Sequence, residues 1–113
     1  MRRAAKVDSN HAAICVALRA CGAKVQSLAG VGDGVPDLLV GFRKRLACFE
    51  VKDGSRSPSQ RRLTPDQAKW LAEWGEFPVF VVEDVESAIH ALHLMGDAIP
   101  PGLHPQTSEA RRA

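Results

Sequence analysis

The chemistry in this sequence is concentrated in "GVPDLLVGFRKRLACFEVKDG", residues 34–54. Asp37 stands just ahead of one apolar run, and Glu50 and Lys52 stand inside a second, "ACFEVK". Charges are seldom buried without a partner or a metal. Two carboxylates, joined by the backbone carbonyl of Val51, make a hard oxygen set of the kind that suits Mg²⁺ or Mn²⁺. Such ions keep several waters and accept phosphate oxygens as further ligands. They polarise a phosphate and acidify a bound water. Lys52 beside them would orient that water, help to deprotonate it, and stabilise charge growing on the phosphoryl oxygens.

Whether these residues meet depends on the strands that carry them. "DLLVG" and "LACFEVK" read as two strands joined through residues 42–45, with Gly41 paired to Leu46. That register places Asp37 opposite Glu50, where Cβ atoms lie roughly 4.5–5.5 Å apart on one face. Glu50 and Lys52 share this face with Cys48, a small filler, while Phe49 and Val51 point the other way. Facing carboxylates repel, raise a pKa and weaken the hairpin, and a divalent cation reverses that sign. The same alternation also suits an edge strand whose Glu50 and Lys52 face water, with Asp37 capping a turn.

Helices and strands around the hairpin follow from periodicity and caps. Val7, His11, Ile14, Leu18 and Cys21 form a helical stripe, so a first helix is expected over 8–21, capped by Asp8 or Ser9 and stopped by Gly22. "AKVQSL" reads as a short edge strand. Gly30, Gly32 and Gly34 precede a strand and a proline instead of opening a helix, which excludes a dinucleotide-binding loop and a nucleotide cofactor. "DGSRSPSQRR" is a loop. "LTPDQAKWLAEW" is a helix with Thr64 as N-cap, Pro65 at N1 and Gln67 at N3 of a capping box, and with Trp70, Leu71 and Trp74 on its apolar side, the two tryptophans being expected in the core, with a dimer contact as the alternative. "PVFVVE", almost continuously apolar, reads as a central strand. A last helix begins after Asp84, with Val85, Ala88, Ile89 and Leu92 buried. His90 and His93 lie on its surface. The expected order is α-β-β-β-α-β-α, an α/β domain over 1–95 followed by a proline-bearing tail over 96–113.

Bulk composition sets the frame. The chain has 113 residues, enough for one modest core, and is 45% hydrophobic and 25% charged, as globular proteins are. Only 5% is aromatic and Tyr is absent, so aliphatic residues must fill that core. No apolar run approaches the ~20 residues of a membrane helix. The basic start lacks the apolar stretch of a secretory signal. Three cysteines without a C-x-x-C pair argue for reduced thiols and a cytoplasmic setting, and against a structural zinc. The net charge of +2 imposes no strong overall field. The cations nevertheless cluster, as Arg43, Lys44 and Arg45 and as Arg56, Arg61 and Arg62, which are the candidate phosphate contacts. No major-groove reading helix is visible, so structure is a better expected basis of recognition than base sequence.

Joined together, "GVPDLLVG", "ACFEVKDG" and "LTPDQAKWL" resemble the PD-(D/E)XK nuclease superfamily, nearest to its small VRR-NUC-type and phage Holliday-junction-resolvase-like members. Pro36-Asp37 matches the first half of the motif and Glu50-Val51-Lys52 the second, and the order of elements agrees over residues 8–90. The resemblance implies a restriction-endonuclease-like core, a mixed central sheet flanked by helices. It implies Mg²⁺- or Mn²⁺-dependent hydrolysis of DNA, branched DNA included, by a homodimer of bacterial or phage origin. It also implies that Gln67 faces the site and touches phosphate or water, although its place in the capping box explains it equally well. Many members add an acidic residue from the first helix. Here that position offers only Asp8 or Asn10, and the V-R-R word is missing. A non-catalytic nucleic-acid-binding module of the same fold is the alternative.

Overall fold

The computed structural model describes residues 10–97. Asp8 and residues 98–113 of the expected tail lie outside the described residues. The elements run α1 (His11–Ala20), β1 (Lys24–Ser27), β2 (Leu38–Phe42), β3 (Arg45–Val51), a 3₁₀ turn (Pro58–Arg61), α2 (Pro65–Trp74), β4 (Val79–Val82) and α3 (Val85–Asp97). They build an open mixed sheet in the order β1-β2-β3-β4, with three helices. The first two pairings are antiparallel and β3-β4 is parallel. Among the described residues no helix is long and apolar enough to cross a membrane.

Alternation along β2 and β3 gives the sheet two unlike faces. Leu38, Val40, Ala47, Phe49 and Val51 are buried on one face, and α1 and α3 pack over it with Ile14, Leu18 and Leu92. Phe80 pairs with Phe49 in the parallel ladder, and their rings meet edge-on at 5.6 Å. This is the core. The other face carries Cys48 and Glu50 and lies under α2, none of whose ten residues is buried. Trp70 and Trp74 are therefore not core residues, contrary to what the apolar side of that helix suggests.

Two further expectations change. β4 is an edge strand, not a central one. An apolar run does not count strand neighbours: β4 packs under α3 on one side, while on the α2 side Val79 is partly buried and Val81 is 48% exposed. The hairpin loop is shorter than 42–45, because Phe42 still pairs with Arg45. The chain reverses through Arg43 and Lys44 alone, at φ values of 51° and 67°. Two consecutive positive φ values mark the tight turn that favours Asn-Gly, and "RK" carries no such signal. The Gly41–Leu46 pairing is nonetheless the observed one.

Helix limits shift for identifiable reasons. Asn10 holds the N-cap position of α1, but its side chain makes no capping bond. It bridges β3 and β4 instead, by donating to the carbonyls of Lys52 and Glu83. At the other end α3 continues through Gly96 and Asp97 into the stretch expected to be tail. Arg45 donates to the Gly96 carbonyl at 2.6 Å and Arg43 pairs with Asp97 at 3.0 Å. A Cβ on Gly96 would stand 2.9 Å from the Phe42 ring. Gly96→Val is expected to lower stability by roughly 1–3 kcal/mol through this overlap, read as a reduced urea midpoint at unchanged m.

Candidate active site

Strand geometry delivers the polar trio to one end of the sheet. Lys52 N–H bonds to the Val82 carbonyl, so even-numbered residues of β3 turn their backbone toward β4. Val51 then turns its N–H and C=O toward β2, which has already ended. The Asp37 carboxylate takes the place of the missing strand and accepts from Val51 N–H at 2.8 Å. Asp37 thus continues the register by one step with its side chain, and comes within hydrogen-bonding reach of the Glu50 carboxyl. Glu50 and Lys52 are 5% and 8% exposed, so neither lies on a solvent face.

Gln67 completes the arrangement from above. Its Nε2 donates to Glu50 Oε2 at 2.8 Å, and its Oε1 accepts from Lys52 Nζ at 2.8 Å. Lys52 Nζ is also 3.6 Å from Glu50 Oε2. The same Oε1 accepts from Thr64 N–H at 2.8 Å, and Thr64 Oγ1 accepts from Gln67 N–H at 3.2 Å, which is the capping box of α2. Capping and site contact are one side-chain conformation, so the two explanations of Gln67 do not compete. Gly34 fixes the height of this helix end: at φ +81° its Cβ would stand 2.2 Å from the Asp66 carbonyl oxygen. Only glycine permits that contact. The glycine spacing, empty of meaning for a cofactor loop, therefore serves to seat α2. The space left among Glu50, Gln67, Pro36 and Trp70 is about 10 Å³, room for one water at most.

Electrostatics marks Glu50 as the strained member. Burial first, and the Asp37 charge second, push its pKa up from 4.5 to about 7, against the opposing pull of Lys52. Among the described residues no three His, Cys, Asp or Glu side chains gather in a way that could hold a metal ion. A divalent cation here would rest on Asp37 and Glu50, on the Val51 carbonyl and on oxygens of water or substrate. Its charge would relieve the repulsion that now raises Glu50. Asn10, the other candidate near this end, spends its amide on the β3–β4 bridge, and its Oδ1 is buried without a partner.

The candidate cations divide into two groups that the fold keeps apart. Arg56 pairs with Asp53 at 3.5 Å and Arg61 with Glu83 at 2.9 Å, both at the site end of the sheet. Arg62 is exposed there and joins no ion pair among the described residues. Arg43, Lys44 and Arg45 lie at the hairpin turn, five residues of β3 away from Glu50, or about 16 Å. Cys48 is half-buried on the Glu50 face, and His90 and His93 are exposed on α3.

The raised pKa has a defined sign in stability. Between pH 4.5 and about 7 the folded state holds a proton on Glu50 that the unfolded state has lost. The contribution of this carboxyl is thus most favourable below that window and is lost as pH rises through it. Metal-free Glu50→Gln should gain stability relative to the parent as pH goes from 5 to 8, seen as a widening difference in Tm. A constant difference would place the Glu50 pKa near its ordinary value.

No protein-family model, curated protein or solved structure matches the chain, so its site must be read from its own geometry.

Proposed function

We propose that the protein is a metal-dependent nuclease that hydrolyses phosphodiester bonds in DNA, with the restriction-endonuclease-like core that its motifs resemble. The observation that supports this most is the Asp37–Glu50 pair. Two carboxylates are held within hydrogen-bonding reach at the end of a hairpin, with the Lys52 ammonium 3.6 Å from one of them. Facing carboxylates weaken a fold, and the raised pKa of Glu50 shows that Lys52 offsets their repulsion only in part.

In this reading Asp37, Glu50 and the Val51 carbonyl hold Mg²⁺ or Mn²⁺, which when bound polarises the scissile phosphate and acidifies water. The residues of the chain do the positioning. Val51 N–H fixes one oxygen of Asp37, and Gln67 fixes one oxygen of Glu50, so each carboxylate presents its other oxygen in a set direction. Gln67 Oε1 also steers the Lys52 ammonium, which donates to the attacking water and then to the phosphoryl oxygens as charge grows there. Arg62, and Arg56 and Arg61 once they exchange their carboxylates for phosphates, would grip the backbone of the nucleic acid on the same side. Branched DNA as substrate and a bacterial or phage setting belong to the same proposal.

A second reading keeps the fold and the DNA contacts without turnover. It is favoured by the small donor set among the described residues and by the commitment of Asn10 to a backbone bridge. The two separate in a cleavage panel of linear, single-stranded, flapped and four-way-junction DNA with Mg²⁺, Mn²⁺ or a chelator. Glu50→Ala and Lys52→Ala should each lose at least about 10²–10³-fold in rate. Glu50→Ala should also abolish the heat of Mn²⁺ binding. Cutting that survives both substitutions would sink the site assignment. A metal-dependent gel shift without cutting would establish the binding module.

A further inference from the structure

The end of the sheet opposite Asp37 carries a feature that the site does not use. A groove of about 600 Å³ runs between the hairpin and the end of α2, with the last turns of α3 beside it. Its lining includes Leu46, Trp70, Trp74, Phe77 and Leu94. Both tryptophans of the chain lie here. Their rings stack at 5.6 Å with 11° between the planes, and Phe77 meets Trp74 at 5.8 Å. Trp74 is nevertheless 46% exposed and Phe77 52%. Contiguous apolar surface of this kind marks an interaction site.

The charges beside the rings are of one sign. Lys44 and Arg45 are the charged residues that line the groove, with no carboxylate among its lining. The same two residues also line a second recess, of about 310 Å³, together with Lys24 and Arg43, and no carboxylate lines that one either. Glu73 of α2 lies elsewhere, in a recess with Asp33 and Asp66. Arg43 pairs with Asp97 and Arg45 donates to the Gly96 carbonyl, but Lys24 and Lys44 join no ion pair among the described residues. The turn holds its cations against a backbone cost, since Arg43 and Lys44 both stand at positive φ, where Asn-Gly would be relaxed.

Cations on one wall and stacked rings on the other match an unpaired nucleic-acid strand, whose bases lie on the rings while its phosphates follow the cations. A duplex keeps its bases stacked on one another and offers them no free face. We propose that this groove binds single-stranded DNA, with bases on Trp74 and Phe77 and phosphates toward Lys24 and Lys44. Only the choice of DNA rests on the nuclease reading. Leu46 and Glu50 share one face of β3, four residues apart, so a strand held in the groove leads toward the carboxylate pair over roughly 13 Å.

Fluorescence titration of the full chain with a short oligothymidylate, in the presence of a chelator, tests it. Tryptophan emission should be quenched, and the affinity should fall as salt rises. A duplex of the same length should bind at least about tenfold more weakly. Trp74→Ala and Phe77→Ala should each weaken binding at least about fivefold, the loss of one stacked base. Lys44→Gly should reduce the slope of log affinity against log salt by about 0.7. That substitution also suits the positive φ and should not lower Tm, which separates lost binding from lost folding. An oligonucleotide that neither binds nor quenches would overturn the proposal, as would equal affinity for the duplex. Binding that ignores both Trp74→Ala and Lys44→Gly would overturn it too. Quenching by polyglutamate as strong as by the oligonucleotide would give the groove to an acidic protein segment instead. The titration is done without free metal, so it stands whether or not the chain cuts DNA, and its failure leaves the cleavage panel untouched.

Discussion

The contact on which this structure turns is an unfavourable one. The register of β2 and β3 brings the Asp37 and Glu50 carboxyls together, and burial denies Glu50 the water that would screen its charge. Everything around the pair compensates in part. Val51 N–H neutralises one oxygen of Asp37, the Lys52 ammonium lies within 4 Å of Glu50, and Gln67 donates to it. The compensation stops short, since Glu50 retains a pKa near 7. Two carboxylates and one ammonium leave a net negative charge at this end of the sheet when Glu50 is ionised. That remainder is what a divalent cation would cancel.

The rest of the fold can be read as support for that contact. Phe49 and Val51 anchor β3 in the core on one face, which obliges Glu50 and Lys52 to occupy the other. Asn10 ties the ends of β3 and β4 together at the level of Lys52, and Gly34 seats the first turn of α2 at the height Gln67 needs. The strands are held by long-range packing, whereas α2 has no fully buried residue, covers the sheet only with the partly buried Trp70 and Leu71, and leans on its cap and its contact with the site. Rigid elements thus carry the carboxylates and the lysine, and a lightly held helix closes over them.

Much of this was legible in the sequence because it rests on short-range rules. Period-two alternation put Glu50 and Lys52 on one face, the pairing of Gly41 with Leu46 put Asp37 beside Glu50, and the T-P-D-Q word located a capping box. What escaped depends on contacts far apart in the chain. The apolar run 79–82 could not reveal that β4 has one strand neighbour only, because cover by helices leaves the same trace as cover by strands. Trp70 and Trp74 looked like core on a helical stripe, since a stripe shows which side is apolar but not whether anything lies against it. The cations of the hairpin and those of the loop appeared equally close to the site in sequence, and β3 separates them by its own length. The tie from Asn10 to Glu83 spans 73 positions and has no local signature.

The double engagement of Gln67 restricts what can replace it. Position N3 of a capping box accepts Glu as readily as Gln. Glutamate there, however, would bring a third negative charge against Glu50 and remove the donor that Glu50 now receives. A shorter side chain would lose the bridge and the Thr64 N–H half of the cap, keeping only the bond from the residue 67 N–H to Thr64 Oγ1. The helix tolerates one set of residues at this position and the recess beneath it another, and glutamine lies where the two sets overlap. Drift at residue 67 would therefore be judged twice, once by folding and once by the site, even though the residue is only half-buried and sits in an exposed turn.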